Sequence, residues 1–341
     1  MITIYDLSKL TGFSPPTVSK ALNGTGTISE KTRKLIITIA KENGYKPNIT
    51  ARALRTRKSR LIGIINSNIY QPYDFVPPFL STVLSSFKER IEAENYDLLL
   101  LSNPAEMRRK DSSPSGNSRH VDGILILAMG IGDREYKSLY TSNIPCVSVN
   151  NFFPNVGTVV TDNRKEGRIA VQHLIDLGHR KIGYLSGPFD RVSTAASERR
   201  HGYHDALVKN GIKVNPSLEV SSDTWHARGG YKACTELLNK KVPFTALFTA
   251  NNHLALGALR RMSELGLKTP DDISIIGFDD GDSLEEYFYP SLSTMKQDAV
   301  QIGKVGAEML LRKLQGIPTE KIIYIPAELV RRESTSMLKH K

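Results

Sequence analysis

Thr17, Ser19 and Lys20 lie within four positions of one another in "SPPTVSKALNG", residues 14–24. Two hydroxyls and an ammonium at that spacing can donate to and accept from base edges or phosphates. They do not make a catalytic group, because no motif frames a Ser, Cys or Lys nucleophile with a base. Elsewhere His201 and His204 in "HGYH" stand at i, i+3, which offers two metal ligands, but no third ligand follows at a supporting distance. "DDGDS", 279–283, lacks the ligand count of a calcium loop, and "GIG", 130–132, is too short for a dinucleotide fingerprint. The chain reads as a binder, with no enzyme activity, metal or cofactor expected.

The elements that must position these groups are short helices. Ser14 is a good N-cap, which puts Pro15 at N1 and Pro16 at N2, where a missing N–H costs nothing. The Ser14 hydroxyl must then cap the N–H of Thr17. This helix turns Val18, Ala21 and Leu22 inward and leaves Pro15, Pro16, Thr17, Ser19 and Lys20 outward. Before it, "TIYDLSKLTG" aligns Ile4, Leu7 and Leu10 and stops at Gly12. After it, "SEKTRKLIITIAKENG" carries Leu35, Ile36, Ile39 and Ala40 and ends at Gly44. Helix, short Gly-containing turn, helix is the helix-turn-helix pattern, whose second helix enters the major groove.

Charge supports the same reading. Residues 1–60 hold 12 Lys/Arg against three acids, a net +9, whereas the other 281 residues hold 34 against 32, a net +2. Lys/Arg concentrated this way neutralise phosphates and release condensed counterions. The segment 47–60 places Arg52, Arg55, Arg57, Lys58 and Arg60 around one large apolar residue, Leu54, that has no local partner.

From residue 61 continuous apolar runs ("LIGIIN", "YDLLLLS", "GILILAM", "PCVSVN", "TVVTD", "KIGYLSG", "ALFTAN", "ISIIGFDD") alternate with amphipathic helical patterns. Such strands belong to parallel sheets covered on both faces, and the series suits two α/β subdomains with a ligand cleft at the carboxyl ends of their strands. The two cysteines, Cys146 and Cys234, lack metal-ligand spacing. The N-terminus has no signal-peptide apolar region, and no run reaches the length of a membrane span. A reduced, cytoplasmic compartment is expected.

These motifs, in order along the whole chain, resemble the LacI/GalR family of bacterial transcription repressors. The resemblance rests on "TIYDLSKLTGFSPPTVSKALNG" and "YKPNITARALRTRKS", then "VDGILI" and "TDNRKEGRIAVQHLIDLGHRKIGYLSGP". "RRHGYHDAL", "TPDDISIIGFDD", "YPSLSTMKQ" and "ELVRREST" complete it. It implies a helix-turn-helix head over 1–46, a hinge over 47–60 and a periplasmic-binding-protein-like sensor over 61–341. Sensor subdomain 1 is expected over about 61–160 and 292–321, and subdomain 2 over about 161–291 and 322–335. Thr17, Ser19 and Lys20 would read bases, with Pro15 and Pro16 fixing the helix entrance. Tyr5, Asn23, Thr32 and Arg33 would help hold phosphates. In the hinge, Asn48, Arg52 and Arg55 join the DNA contacts, and Leu54 wedges into the minor groove.

The resemblance also implies effector residues: Phe79, Met129, Arg191, Ser193, Arg199, Trp225, Asn251, Asn252 and Asp279. Arg199 would fork to the effector, Trp225 stack on it and Asp279 accept from its hydroxyls. The family's "AND" is "ANN" here, at Asn251–Asn252, which exchanges an acceptor-only carboxylate for an amide. This set points first to a neutral sugar. A phosphorylated ligand, a nucleobase or a protein co-effector is the alternative, and a sugar-binding protein without a DNA role is more remote. A homodimer on a pseudo-palindromic operator is expected, because no leucine heptad follows "RREST". Leu54→Ala is expected to weaken operator binding strongly and leave effector affinity unchanged. Operator affinity within about twofold of the parent protein, in a gel-shift titration, overturns the hinge assignment.

Overall fold

The computed structural model describes residues 2–45, 58–66, 78–101, 121–127, 144–153, 155–188, 194–279 and 284–339. Asn48, Arg52, Leu54, Arg55, Met129, Arg191 and Ser193 lie outside the described residues, as does most of the hinge. The chain forms two compact units, divided between Arg60 and Leu61.

The first unit holds three helices, α1 (Ile4–Thr11), α2 (Pro15–Leu22) and α3 (Glu30–Glu42). Each start is fixed by a side chain that satisfies a backbone N–H the helix leaves unpaired. Thr3 and Asp6 form a capping box on α1. The Thr3 N–H donates to Asp6 Oδ2 at 2.9 Å and the Asp6 N–H to Thr3 Oγ1 at 3.3 Å; the Thr3 hydroxyl, at 2.6 Å, and the Thr3 N–H hold the Asp6 carboxyl below its usual range. Gly12 ends α1 at φ 73°, a left-handed turn that a side chain would strain. Ser14 caps α2 at the N–H of Thr17, 3.4 Å, with Pro15 and Pro16 between, as the proline pair requires. Ser29 caps α3 at Thr32, 3.2 Å.

The core of this unit is Leu7, Val18, Ala21, Ile36 and Ala40, ringed by Ile4, Phe13, Leu22, Ile28 and Ile39. Leu10 and Leu35 are not part of it; they are 53% and 48% exposed. The inward stripe of α1 drifts with the 3.6-residue turn from Ile4 through Leu7 to Thr11, and Leu35 stands one position off the stripe of Ile36, Ile39 and Ala40.

The second unit runs β1 (Leu61–Ile65), α4 (Pro78–Glu92), β2 (Asp97–Leu101), β3 (Gly123–Ile126), β4 (Cys146–Val149), β5 (Gly157–Thr161), α5 (Asn163–Asp176), β6 (Ile182–Ser186) and α6 (Thr194–Lys209). It continues with β7 (Glu219–Ser221), α7 (Ala227–Asn239), β8 (Ala246–Thr249), α8 (Asn252–Glu264), β9 (Ser274–Phe278), β10 (Ser293–Gln297), α9 (Ala299–Leu314), β11 (Ile322–Ile325) and β12 (Ala327–Val330). Two six-stranded sheets result, ordered β11-β5-β4-β3-β1-β2 and β12-β10-β9-β8-β6-β7. All pairs are parallel except β10 with β12. Both sheets therefore repeat one strand order, with a switch point where consecutive connections leave the first strand in opposite directions.

Strand residues alternate between two apolar layers in each sheet. Ile62 and Ile64 face one layer with Phe87 and Leu310, and Ile65 faces the other with Ile124 and Cys146. In the second sheet Tyr184 stacks on Tyr203 and Phe248 at 5.2 and 5.3 Å, while Leu185 turns to Cys234 and Leu247. Burial of Cys146 and Cys234 pushes both thiols up to about 12, which leaves them unreactive.

The chain passes between the halves three times, and the passages fall elsewhere than the expected edges of 292 and 322. β10 pairs with β9, so Ser293–Gln297 belongs to the second sheet, and β11 pairs with β5, so Ile322–Ile325 belongs to the first. The passages are Asp162, Asp298 and Pro326. They lie where a strand of one sheet has ended and its successor packs on the other. Asp162 caps α5 at the N–H of Lys165, 3.1 Å, and Asp298 caps α9 at Gln301, 2.8 Å. Both aspartates hold ψ 78°, close to the inverse γ-turn.

The segment after β12 returns along the second sheet. Ser334 Oγ donates to Ile275 O at 2.7 Å, His173 Nε2 meets Thr335 Oγ1 at 3.1 Å, and His179 Nε2 donates to Ser336 O at 3.1 Å. His173 and His179 are 8% and 3% exposed, and burial pushes both imidazoles below the ordinary 6.5. The folded chain then binds fewer protons than the unfolded chain once pH falls under that value. Their contribution is complete above 6.5 and is lost on acidification. In urea unfolding between about pH 7.5 and 5.5, stability is expected to fall by up to about 1.4 kcal/mol per pH unit for each imidazole. The double variant His173→Gln, His179→Gln is expected to flatten that slope, and equal slopes would reject the assignment.

Candidate functional site

The head unit presents one set of candidate residues. Pro16, Lys20 and Asn23 are exposed, Pro15 and Thr17 are half-buried, and Tyr5 on α1 is 69% exposed. Thr17 Oγ1 lies 2.9 Å from Ser14 Oγ, which orients its hydroxyl from the cap. The Lys20 stem runs past Gly26, where an added Cβ would stand 3.2 Å from Lys20 Cδ. Thr32 Oγ1 is tied to Ser29 Oγ at 2.8 Å, and Arg33 Nε is buried without a hydrogen-bond partner among the described residues. Asn23 Nδ2 donates to Ser19 O at 2.6 Å, so its amide closes the end of α2.

Ser19 departs from the sequence reading. It is 9% exposed, and its Oγ accepts from Asn23 Nδ2 at 3.3 Å. Position 19 follows Val18 around the helix far enough to fall on the packed side, so its hydroxyl serves the helix end.

The other set gathers at the carboxyl ends of the second sheet. Arg199, on α6, is 3% exposed. Its Nε donates to Asn163 Oδ1 at 2.9 Å, its Nη1 to Ala250 O, and its Nη2 lies 3.5 Å from Asp279 Oδ1. The guanidinium stacks on the Phe278 ring, 3.6 Å from its centroid. Burial pushes the Arg199 pKa down, and Asp279 opposes that shift.

Asp279 follows β9 at φ 96°, a conformation that L residues rarely adopt, and its backbone is held by Met295 O at 3.0 Å and Thr294 Oγ1 at 3.3 Å. Its Oδ1 takes both Arg199 and Gln297 Nε2, the latter at 2.5 Å. Oδ2 has no partner among the described residues, and the side chain keeps 23% of its surface exposed. Burial pushes this carboxyl above the usual range, with Arg199, Gln297 and His253 pulling the other way. The atom pointed outward is an acceptor.

Trp225 is half-buried, and its indole covers Gly187, where a Cβ would come within 2.5 Å of Cε2. Its carbonyl accepts from Asn251 Nδ2 at 2.9 Å. Asn251 also caps α8 through Oδ1 at the N–H of Leu254, 2.8 Å. Asn252 Nδ2 donates to the buried Glu285 Oε1 at 2.7 Å, and its Oδ1 accepts from Thr294 Oγ1 at 2.9 Å. A carboxylate at 252 would face Glu285, so the amide in "ANN" has a local cause. Both asparagines thus build the scaffold around Trp225 and Asp279. Phe79 is not brought to them; it is 8% exposed in the core of the first sheet.

The sequence reading missed Asn163 and Gln297, which hold Arg199 and Asp279. It also missed a set of buried polar atoms without partners among the described residues: Ser148 Oγ, Asn150 Oδ1, Thr161 Oγ1 and Gln297 Oε1. All four stand at or just beyond the carboxyl ends of β4, β5 and β10. Their signal was present only as Ser, Thr, Asn or Gln closing an apolar run. Among the described residues no His/Cys/Asp/Glu group could hold a metal, and no helix is long and apolar enough to cross a membrane.

Comparison with known proteins matches each unit to a known family. A profile of the bacterial regulatory proteins of the lacI family matches residues 3–48, and one of the periplasmic-binding-protein-like domain matches 171–335. The HTH-type transcriptional repressor PurR of Haemophilus influenzae (strain PittEE) is 30% identical over 346 residues, covering 99% of this chain and 100% of that protein. The lac repressor dimer, solved bound to operator and the anti-inducer ONPF, is 27% identical and superposes with a TM-score of 0.83 over 98% of this chain and 99% of its own. A complex of the regulator CelR with cellobiose, also 27% identical, gives 0.71 over 98% and 100%. With a helix-turn-helix head, two sheets of repeated order and full-length relatives of this kind, the chain belongs to the LacI family of bacterial transcription regulators.

Proposed function

We propose that this protein is a repressor whose affinity for a pseudo-palindromic operator is set by a neutral sugar bound between the two sheets of its second unit, and that it acts as a homodimer. The head over 1–46 reads DNA, the hinge over 47–60 couples it, and 61–341 senses the ligand. The observation that carries the sugar reading is the state of Asp279. Its Oδ2 is an acceptor without a partner among the described residues, held in place by Arg199 and Gln297 at the same sheet end as the half-exposed Trp225. A hydroxyl donates to such an oxygen, whereas a phosphate would be repelled by it. Three of the five N–H donors of Arg199 are already directed at Asn163, Ala250 and Asp279, so it supplies structure more than charge. An indole at the same carboxyl end of the sheet suits the apolar face of a sugar ring. The cellobiose bound by CelR supports a ligand of this class.

Control follows from differential affinity. A ligand that prefers one arrangement of the two halves shifts the population towards it, by no more than that preference. A phosphorylated ligand, a nucleobase or a protein co-effector is the competing reading, and one experiment separates them. Thermal unfolding of the full chain is followed against neutral sugars, sugar phosphates, nucleobases and amino acids at millimolar concentration. A neutral sugar at 100 times its dissociation constant is expected to add about 2.7 kcal/mol, a rise of several degrees. Asp279→Asn is expected to abolish that rise. A shift by sugar phosphates or nucleobases alone, or a sugar response unchanged in Asp279→Asn, overturns the reading.

A further inference from the structure

Gln297 enters the reading above only as a support for Asp279; it is 3% exposed, closes β10 and gives its only described side-chain bond to that residue. Its Oε1 is buried and has no partner among the described residues. A buried amide with one satisfied end is costly unless the group is needed where it stands. The next residue is Asp298, the second passage between the halves, whose carboxylate starts α9.

Continuing from Asp279, the bonds run to Arg199, and from Arg199 Nε to Asn163 Oδ1. Asn163 Nδ2 donates to Thr161 O at 3.0 Å, across Asp162, the first passage. Thr161, Asn163, Arg199, Asp279 and Gln297 thus form one continuous series of polar contacts. Each end lies on a strand–aspartate–helix passage of the same build. Every internal member is buried or half-buried, where such bonds are screened least.

We propose that Gln297 is a positioning residue: it fixes the Asp279 carboxylate and, through Asp279, Arg199 and Asn163, ties the two aspartate passages into one unit. What occupies Asp279 Oδ2 then acts on both passages together. The link is independent of which ligand binds, and of whether one binds.

The test needs no ligand. Hydrogen exchange is measured by mass spectrometry on the full chain, on peptides covering the first turns of α5 and α9. Gln297→Met keeps the length and removes the amide. A merely local role speeds exchange in the first turn of α9 and leaves α5 as it was. The relay predicts at least threefold faster exchange at Lys165–Gly167 as well. Coupling is reciprocal, so Asn163→Ala is expected to speed exchange at the first turn of α9 to a similar degree. Lys296→Met, a change at the exposed neighbour, is expected to alter neither. Asn163→Ala carries the test alone where Gln297→Met does not fold. Changes confined to the mutated side overturn the proposal.

Discussion

A guanidinium and a carboxylate buried side by side constrain everything around them. Arg199 has lost its water and must find acceptors, and it finds an amide oxygen, a carbonyl, a carboxylate and the face of Phe278. Removing one partner from such a pair leaves the other charge uncompensated, which costs far more than the pair itself contributes. The positions of Asn163, Ala250, Phe278 and Asp279 are therefore not independent. α5, α6, β8 and β9 must reach the carboxyl end of the sheet in register for the arginine to be tolerated. The left-handed backbone of Asp279 is the strain accepted to aim its carboxylate.

The neighbouring asparagines extend this logic outward. Asn251 spends one end of its amide on the start of α8 and the other on the loop that carries Trp225. Asn252 spends both ends on Glu285 and Thr294. Family resemblance proposed these residues as ligand contacts. The geometry gives them a prior duty, holding the acceptor and the aromatic ring at fixed places. A ligand at the proposed site would then meet a surface prepared in advance, which limits the ordering cost of binding.

How much of this was legible in the sequence depends on how far each feature reaches along the chain. Caps, proline placement and the helix ends of the head are local, and Thr3, Ser14, Gly12 and Ser29 act within four residues of their own positions. The long apolar runs read directly as strands β1–β6, β8 and β9. β7 is three residues long, and β11 and β12 are edge strands with solvent-facing positions, so no apolar run marks them. Which sheet β10 and β11 join is decided by pairing with β9 and β5, distant in sequence, and the subdomain edges were misplaced for that reason. Ser19 shows the limit at the scale of one residue: a polar type at a border position of a helix gives no sign of which way it turns. Gln297 and Asn163 escaped because their partners lie 18 and 36 positions away.

The proline pair at the start of α2 has a consequence for how DNA specificity can change. A helix start normally offers several backbone N–H groups to an anion, a contact indifferent to sequence. Here two of the first three positions have no such group, and the third is taken by Ser14. The entrance to this helix is silent toward phosphate. In the proposed operator complex, discrimination and grip would both come from side chains such as Thr17 and Lys20, and single substitutions there would change the preferred sequence without a constant backbone contact to soften the change.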